Sequence, residues 1–190
     1  MNRPATLLVL LLAGLLAGCG GGSRPTGIRA AETPADDVAE YQPRWRSHTV
    51  DSTQYRKVFL AGTIDMGRSS DWQAALVARF RDSIGGRWLF FNPRRREVHA
   101  SPVEMEYQVA WELAHLEAAD LIVMNLLGDS RSPISLLEMG LYARSGKLFV
   151  ACSPDYYRYD NVRITCRRYG VPLYDSLTAL LDDLPQQSDE

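Results

Sequence analysis

From residue 57 onward the chain alternates short apolar runs with segments whose apolar residues recur at helical spacing. Few architectures accept that alternation. Val58-Phe59-Leu60-Ala61-Gly62, Trp88-Leu89-Phe90-Phe91, Leu121 to Leu126 and Leu148 to Cys152 read as buried strands, with a shorter one around Pro172–Tyr174. Asp71 to Ile84 carries Trp72, Leu76, Phe80 and Ile84 on one helical face and stops at Gly85-Gly86. Ser101-Pro102-Val103-Glu104 has the form of a helix start, with a capping serine, proline at the first position and a glutamate closing a capping box. That helix runs to about Ala118. Ser132-Pro133 opens a third helix that Gly146 ends, and further helices span about Asn161 to Tyr169 and Ser176 to Leu184. Five apolar strands separated by helices predict an α/β fold with a parallel sheet covered on both faces. Right-handed crossovers make it a doubly wound five-stranded sheet, flavodoxin/Rossmann-like, of order 2-1-3-4-5. Ligands in such sheets bind past the carboxyl ends of the strands. The polar residues there are Thr63 and Asp65, Asn92 to Arg95, Asn125 to Ser132, and Ser153 to Asn161.

Upstream of this region the composition changes. Arg3 precedes about fourteen apolar or small residues that close on Leu16-Ala17-Gly18-Cys19. A spanning helix needs about 20 such residues, so residues 1–18 read as a signal peptide. The closing motif looks like the lipobox of bacterial lipoproteins, in which the cysteine thiol takes a diacylglycerol and becomes the new amino terminus. Cys19 is then the lipidation site and the membrane contact, since two or more acyl chains anchor stably where one does not. Gly20 follows without an aspartate, and the expected location is the outer membrane, facing the periplasm. Residues 20–40 are rich in Gly, Pro, Ala and charge and read as a flexible linker with a reach of roughly 25 Å. Tyr41, Trp45 and Tyr55 in residues 41–56 mark an extension that packs on the domain edge, of unassigned structure. The domain is expected over 57–184, with 185–190 a disordered tail.

Twenty-one basic and twenty-three acidic side chains give a net charge of −2, and removing residues 1–18 with Arg3 makes it −3. That balance excludes the basic surplus of a nucleic-acid binder. Three cysteines are too few for a disulfide-built fold; Cys152 and Cys166 read as buried free thiols, with a pairing between them the alternative. Gly62-Thr63-Ile64-Asp65-Met66-Gly67 is not a GxGxxG loop, and neither GxxxxGK[ST] nor GxSxG occurs. His48, His99 and His115 lack metal-ligand spacing, so neither metal nor cofactor is expected.

What remains is Glu138, in the first half of the helix opened by Ser132-Pro133 and flanked by Leu136, Leu137, Met139 and Leu141. On composition it is either a surface residue between apolar neighbours or a carboxylate held in a cleft. The helix amino terminus favours its ionised, nucleophilic form. The stretch Glu138-Met139-Gly140-Leu141-Tyr142-Ala143-Arg144 resembles the catalytic-glutamate helix of the nucleoside 2-deoxyribosyltransferase family. Five further motifs resemble the same superfamily in the same order: Val58 to Asp65, Asp71-Trp72-Gln73, Asn92-Pro93-Arg94-Arg95, Gln108 to Glu112, and Ala119 to Ile122. Asp160-Asn161-Val162 is similar to a further segment near that family's site. The likeness spans about residues 57–184.

The resemblance implies that Glu138 attacks the anomeric carbon of a nucleoside or nucleotide, forming a glycosyl ester that a second base or water resolves. This parallels retaining glycoside hydrolysis. It implies Asp65 and Asp71 as groups that bind or protonate the leaving base, against a polar loop and a helix cap. Gly62, Thr63, Asn92, Asn125, Ser132 and Asn161 become candidate ligand contacts, with Ser132 standing where well-characterised transferases carry an acidic residue. Trp72 is a candidate to stack on a base, whereas Trp111 fits helix core better. Arg94, Arg95 and Arg96 are either a phosphate clamp or a solvated charge run. The family often assembles so that neighbouring subunits complete each site, which makes a homo-oligomer a candidate partner. A non-catalytic nucleotide- or partner-binding lipoprotein is the alternative reading of the whole chain.

Overall fold

The computed structural model describes residues 37–46, 50–84, 86–95 and 101–184. The segment 1–18 read as a signal peptide, Cys19, Arg96, His48, His99, Gly85 and the tail from residue 185 lie outside the described residues. The described residues all belong to one compact unit.

Among the described residues seven strands make one sheet: β1 (Val38–Gln42), β2 (Trp45–Arg46), β3 (Arg56–Gly62), β4 (Trp88–Phe91), β5 (Leu121–Leu126), β6 (Leu148–Cys152) and β7 (Leu173–Tyr174). Their order is β2-β1-β4-β3-β5-β6-β7, and all pairings are parallel except β1 with β2. The five strands expected from the apolar runs therefore stand in the expected order, with the switch where chain order reverses at β3. Among the described residues five α-helices accompany them: α1 (Trp72–Ser83), α2 (Pro102–Ala118), α3 (Pro133–Tyr142), α4 (Tyr159–Tyr169) and α5 (Leu177–Asp183).

The sheet separates two apolar layers, because alternate strand residues point to opposite faces. Val58, Leu60, Phe90 and Val123 pack with Trp72, Leu76 and Phe80 of α1 and Leu180 and Leu181 of α5. Phe59, Ala61, Ile122 and Met124 pack with Leu116 of α2, Met139 of α3 and Val162 and Cys166 of α4. Phe80 is wedged edge-on between Trp88 and Phe90, at centroid distances of 4.9 and 5.0 Å. Burying such a ring contributes about 1.5–3 kcal/mol, with aromatic pairing adding to it.

Helix ends follow the sequence closely. Asp71 caps α1 by accepting from the Ala74 amide at 3.0 Å, and Ser101 caps α2 by accepting from Glu104 at 3.2 Å. Glu104 itself is engaged from outside the helix, taking Arg44 Nε and Nη2 at 3.1 and 2.8 Å. At the far end of α2 the Lys147 ammonium donates to the carbonyls of Leu116, Glu117 and Ala119 at 2.7, 3.0 and 3.1 Å. A cation there offsets the negative end of the helix. Cys152 and Cys166 are free and buried, and burial pushes their thiols up to about 12 and about 11.

Three boundaries differ from the expectation. The linker reading runs too far: Val38-Ala39-Glu40 belong to β1, which extends the sheet beside β4 and places Val38 and Ala39 in the core. A five-residue strand that mixes apolar Val38, Ala39 and Tyr41 with polar Glu40 and Gln42, preceded by Pro34-Ala35-Asp36-Asp37, carries almost no periodic signal. Helix α3 ends at Tyr142, and Gly146 supplies a left-handed residue (φ 75°) to the turn that follows. Helix α4 begins at Tyr159.

Candidate active site

The strand ends of β3 and β5 meet at a glycine. Gly62 has φ 125°, and a β-carbon on it would lie 2.2 Å from the carbonyl oxygen of Asn125. Only glycine permits this approach. It lets the Thr63 amide donate to that same carbonyl at 2.9 Å. The Thr63 carbonyl is bound from below by the Trp72 indole at 2.8 Å.

Above this turn runs a chain of buried hydroxyls whose direction is forced. The Ser130 hydroxyl donates to Asp65 Oδ1 at 3.0 Å. Its single proton is thereby used, so in its 2.7 Å contact with Ser132 it accepts. Ser132 then has no proton left for Thr63, 2.8 Å away, and Thr63 donates to it. Thr63 in turn accepts from the Leu127 amide at 3.1 Å. The polarity runs from Leu127 through Thr63, Ser132 and Ser130 to Asp65. Two of its members have left-handed backbones, Asp65 at φ 47° and Ser132 at φ 39°. Ser132 precedes Pro133, whose ring disfavours the right-handed region for the residue before it. Backbone strain of this kind persists where surrounding bonds hold it, and it clusters at functional sites. Because Ser132 spends its hydroxyl on the chain, α3 opens with no side-chain cap.

Glu138 lies on the next two turns of α3. The residue is 8% exposed, and Ser135, one turn earlier, is 4% exposed. Neither side chain makes a hydrogen bond or ion pair with a described residue. Burial, and then the negative charge of Glu112 on α2, push the Glu138 carboxyl up to about 8. Glu112 is also raised, by burial, although Gln108 and Arg95 oppose the rise. The bland reading of Glu138 as a surface residue is thus excluded. Ser135, Gln108 and Glu112 were not legible as site residues, since a polar side chain within a helix gives no signal until its neighbours are known.

Other candidates are committed to the fold. Asn92 is buried, donates to Glu40 Oε1 at 2.8 Å and accepts from the Arg94 amide at 3.0 Å, tying β1 to the segment after β4. Arg94 is neither solvated nor free to clamp an anion. Its Nη2 donates to the carbonyls of Ser69 and Ser70 at 2.9 and 3.0 Å, and its Nε lies 3.5 Å from Asp71 Oδ1. Arg95 binds Gln108 through Nε and the Glu104 carbonyl through Nη2 at 2.8 Å. Trp72 is core, and Asp71, half-exposed, serves as the α1 cap. Trp111 stacks on His115 at 4.0 Å and packs against the core, as expected of it. Asn125 is 6% exposed, and its amide has no described partner.

A cavity of about 330 Å³ opens between α3 and α4, lined by Leu136, Met139, Gly140, Arg158 and Asn161 among others. Glu138 is not in its wall, so the volume and the chemistry occupy different flanks of α3. The unpartnered buried acid is the stronger marker of a site, because empty space alone carries no reactive group. Asn161 belongs to this cavity and is not brought to Glu138. Among the described residues no cluster of His, Cys, Asp or Glu side chains could hold a metal ion.

Residues 55–156, more than half of the chain, match the family described as nucleoside 2-deoxyribosyltransferase like. The chain belongs to this family. No curated protein matches it. The match of the deoxyribosyltransferase-like domain takes in Gly62, the hydroxyl chain, Glu112 and Glu138, and ends before α4, leaving Asn161 outside it.

Proposed function

We propose that the domain cleaves or transfers at the N-glycosidic bond of a nucleoside or nucleotide, with Glu138 as the nucleophile. The observation that carries this reading is a buried carboxyl on α3 that has no hydrogen-bond or ion-pair partner among the described residues. A Glu138 oxygen bonds to the anomeric carbon as the carbon–nitrogen bond breaks, its electron pair leaving with the base, which takes up a proton. A second base or water then attacks the same carbon and releases the carboxylate. Asp65 is the better of the two aspartates to meet the leaving base. One of its oxygens is fixed by Ser130 and the other is uncommitted to any described residue, whereas Asp71 caps α1. Attack needs the ionised acid, so the rate rises with pH toward about 8. Incubation of the full chain with nucleosides, nucleotides and NAD, followed by chromatography for free base, tests the reading. Glu138→Ala is expected to lower release by on the order of 10³-fold or more. No release from any of them, or equal release by the variant, overturns it.

A non-catalytic nucleotide binder is the second reading, favoured by the proton that Glu138 holds at neutral pH. It gives ligand-dependent thermal stabilisation without product, and it tolerates Glu138→Gln. In both readings Cys19 carries the lipid anchor that places the chain in the bacterial envelope at the outer membrane. Incorporation of labelled palmitate, abolished by Cys19→Ser, is the expected result. Assembly with a second copy is supported by Ile134, Leu137 and Leu141, exposed along the outer face of α3, and is checked by sedimentation.

A further inference from the structure

The cavity of about 330 Å³ takes its walls from one face each of α3 and α4. Leu136, Met139 and Gly140 stand at i, i+3 and i+4 on α3. Arg158, Asn161, Val162 and Thr165 keep the same spacing on α4 and its cap. Burial divides this lining. Met139 and Val162 are buried and Leu136 is half-buried, which makes an apolar floor. Arg158 and Asn161 are exposed, which makes a polar rim.

Gly140 keeps the space open. A β-carbon there would meet no heavy atom of a described residue beyond its own helix within 4 Å, and its backbone has no positive φ. Neither close packing nor a left-handed turn asks for glycine at this position, and glycine is a poor residue inside a helix. Its missing side chain leaves the α3 wall recessed. The charge at the rim is uncompensated. The Tyr157 ring has the Arg158 guanidinium 5.3 Å from its centroid and the Arg131 guanidinium at 6.0 Å. Tyr156 fastens the two loops that carry these arginines, its hydroxyl donating to the Arg131 carbonyl at 2.6 Å. Among the described residues neither guanidinium has a hydrogen bond or an ion pair. Asp160, two residues beyond Arg158, is held by Arg163 at 2.9 Å. Helix α4 opens without a side-chain cap, so its first amides add to the positive potential.

A recess of this kind, apolar below and cationic at the edge, suits a ligand with the matching division. We propose that the cavity is a ligand site separate from Glu138, which takes a small organic anion. A carboxylate or phosphate meets the Arg158 guanidinium, whose planar fork fits two such oxygens, and an apolar body lies on Met139, Val162 and Leu136. The family match stops at residue 156, so α4 supplies a wall that the matched region does not include.

Isothermal titration calorimetry of the full chain tests this with phenyl phosphate, phenylacetate, neutral benzyl alcohol and inorganic phosphate. At least one of the two aromatic anions is expected to bind one-to-one, about tenfold or more tighter than benzyl alcohol or inorganic phosphate. The tighter of the two names the head group. Arg158→Gln should weaken that binding by about tenfold or more, and Gly140→Leu, which fills the recess, should abolish it. Should Gly140→Leu not fold, Asn161→Ala at the exposed rim is expected to weaken it a few-fold. Glu138→Gln should change it by less than about twofold. The proposal is overturned if neither anion binds, if benzyl alcohol binds as well, or if Arg158→Gln leaves the affinity unmoved. Loss of binding in Glu138→Gln also overturns it, since the anion then occupies the site of Glu138. None of these results depends on turnover, so failure of the nucleophile reading leaves this site standing.

Discussion

Replacing Glu138 by glutamine removes a titration while keeping shape, and its effect on stability has a definite sign and size. An exposed glutamate titrates at 4.5, whereas burial with Glu112 nearby raises this one to about 8. The folded chain thus binds a proton that the unfolded chain has released between those two values. Stability from this group is complete below pH 4.5, falls as pH rises through the interval, and is gone above about 8. At about 1.36 kcal/mol per pH unit the loss approaches roughly 5 kcal/mol, an upper figure that solvent screening reduces little for so buried a group. For a chain of this size that is on the order of 10 °C in Tm. Glutamine carries no such dependence. Thermal or urea unfolding of both proteins at pH 5, 7 and 9 should therefore show Glu138→Gln gaining on the wild type at each step. The comparison cancels the titrations of groups that do not interact with Glu138. Parallel curves from pH 5 to 9 would refute the placement of an ionisable, unpartnered acid in this interior.

Three further outcomes follow from other parts of the molecule. Gly62→Ala forces a β-carbon into the Asn125 backbone at a left-handed φ and should cost at least about 3 kcal/mol in urea unfolding. Ser130→Ala strips Asp65 of its donor and Ser132 of its acceptor, for an expected loss of about 1–3 kcal/mol, while Ser130→Thr retains most of the stability. Cys152 and Cys166 should resist a thiol reagent in the native protein at pH 8 and react fully once it is unfolded. Rapid native labelling of either would contradict their burial.

The sheet was readable because its strands are continuous apolar runs buried on both faces, a pattern independent of distant partners. Helix α2 was readable to the residue, since Ser101 and Pro102 act locally. β1 escaped because half of it faces polar company: Glu40 exists to hold Asn92, fifty-two positions away. The same limit governs the site. Glu138, Thr63, Asp65 and Ser132 could be nominated from their places past strand ends or on the helix that follows, and Thr63, Asp65 and Ser132 are joined through Ser130 just past β3 and β5. Arg94 and Arg95 read as a charge run, since nothing adjacent reveals that Ser69, Ser70 and Gln108 absorb them. Glu112 carried a motif, and only the structure shows that Gln108 donates to it at 2.6 Å.

The parallel pairing of β1 with β4 has a mechanical consequence. Val38 sits opposite Trp88, and the Trp88 amide donates to the Asp37 carbonyl at 2.7 Å, so the chain enters the sheet at its amino edge. Tension applied upstream of residue 37 is carried along the axis of β1. It loads the rungs of the β1–β4 ladder together in shear and does not peel them one at a time. That amino edge is the opposite end of the strands from Thr63, Asp65 and Ser132, whose linked side chains stand past their carboxyl ends.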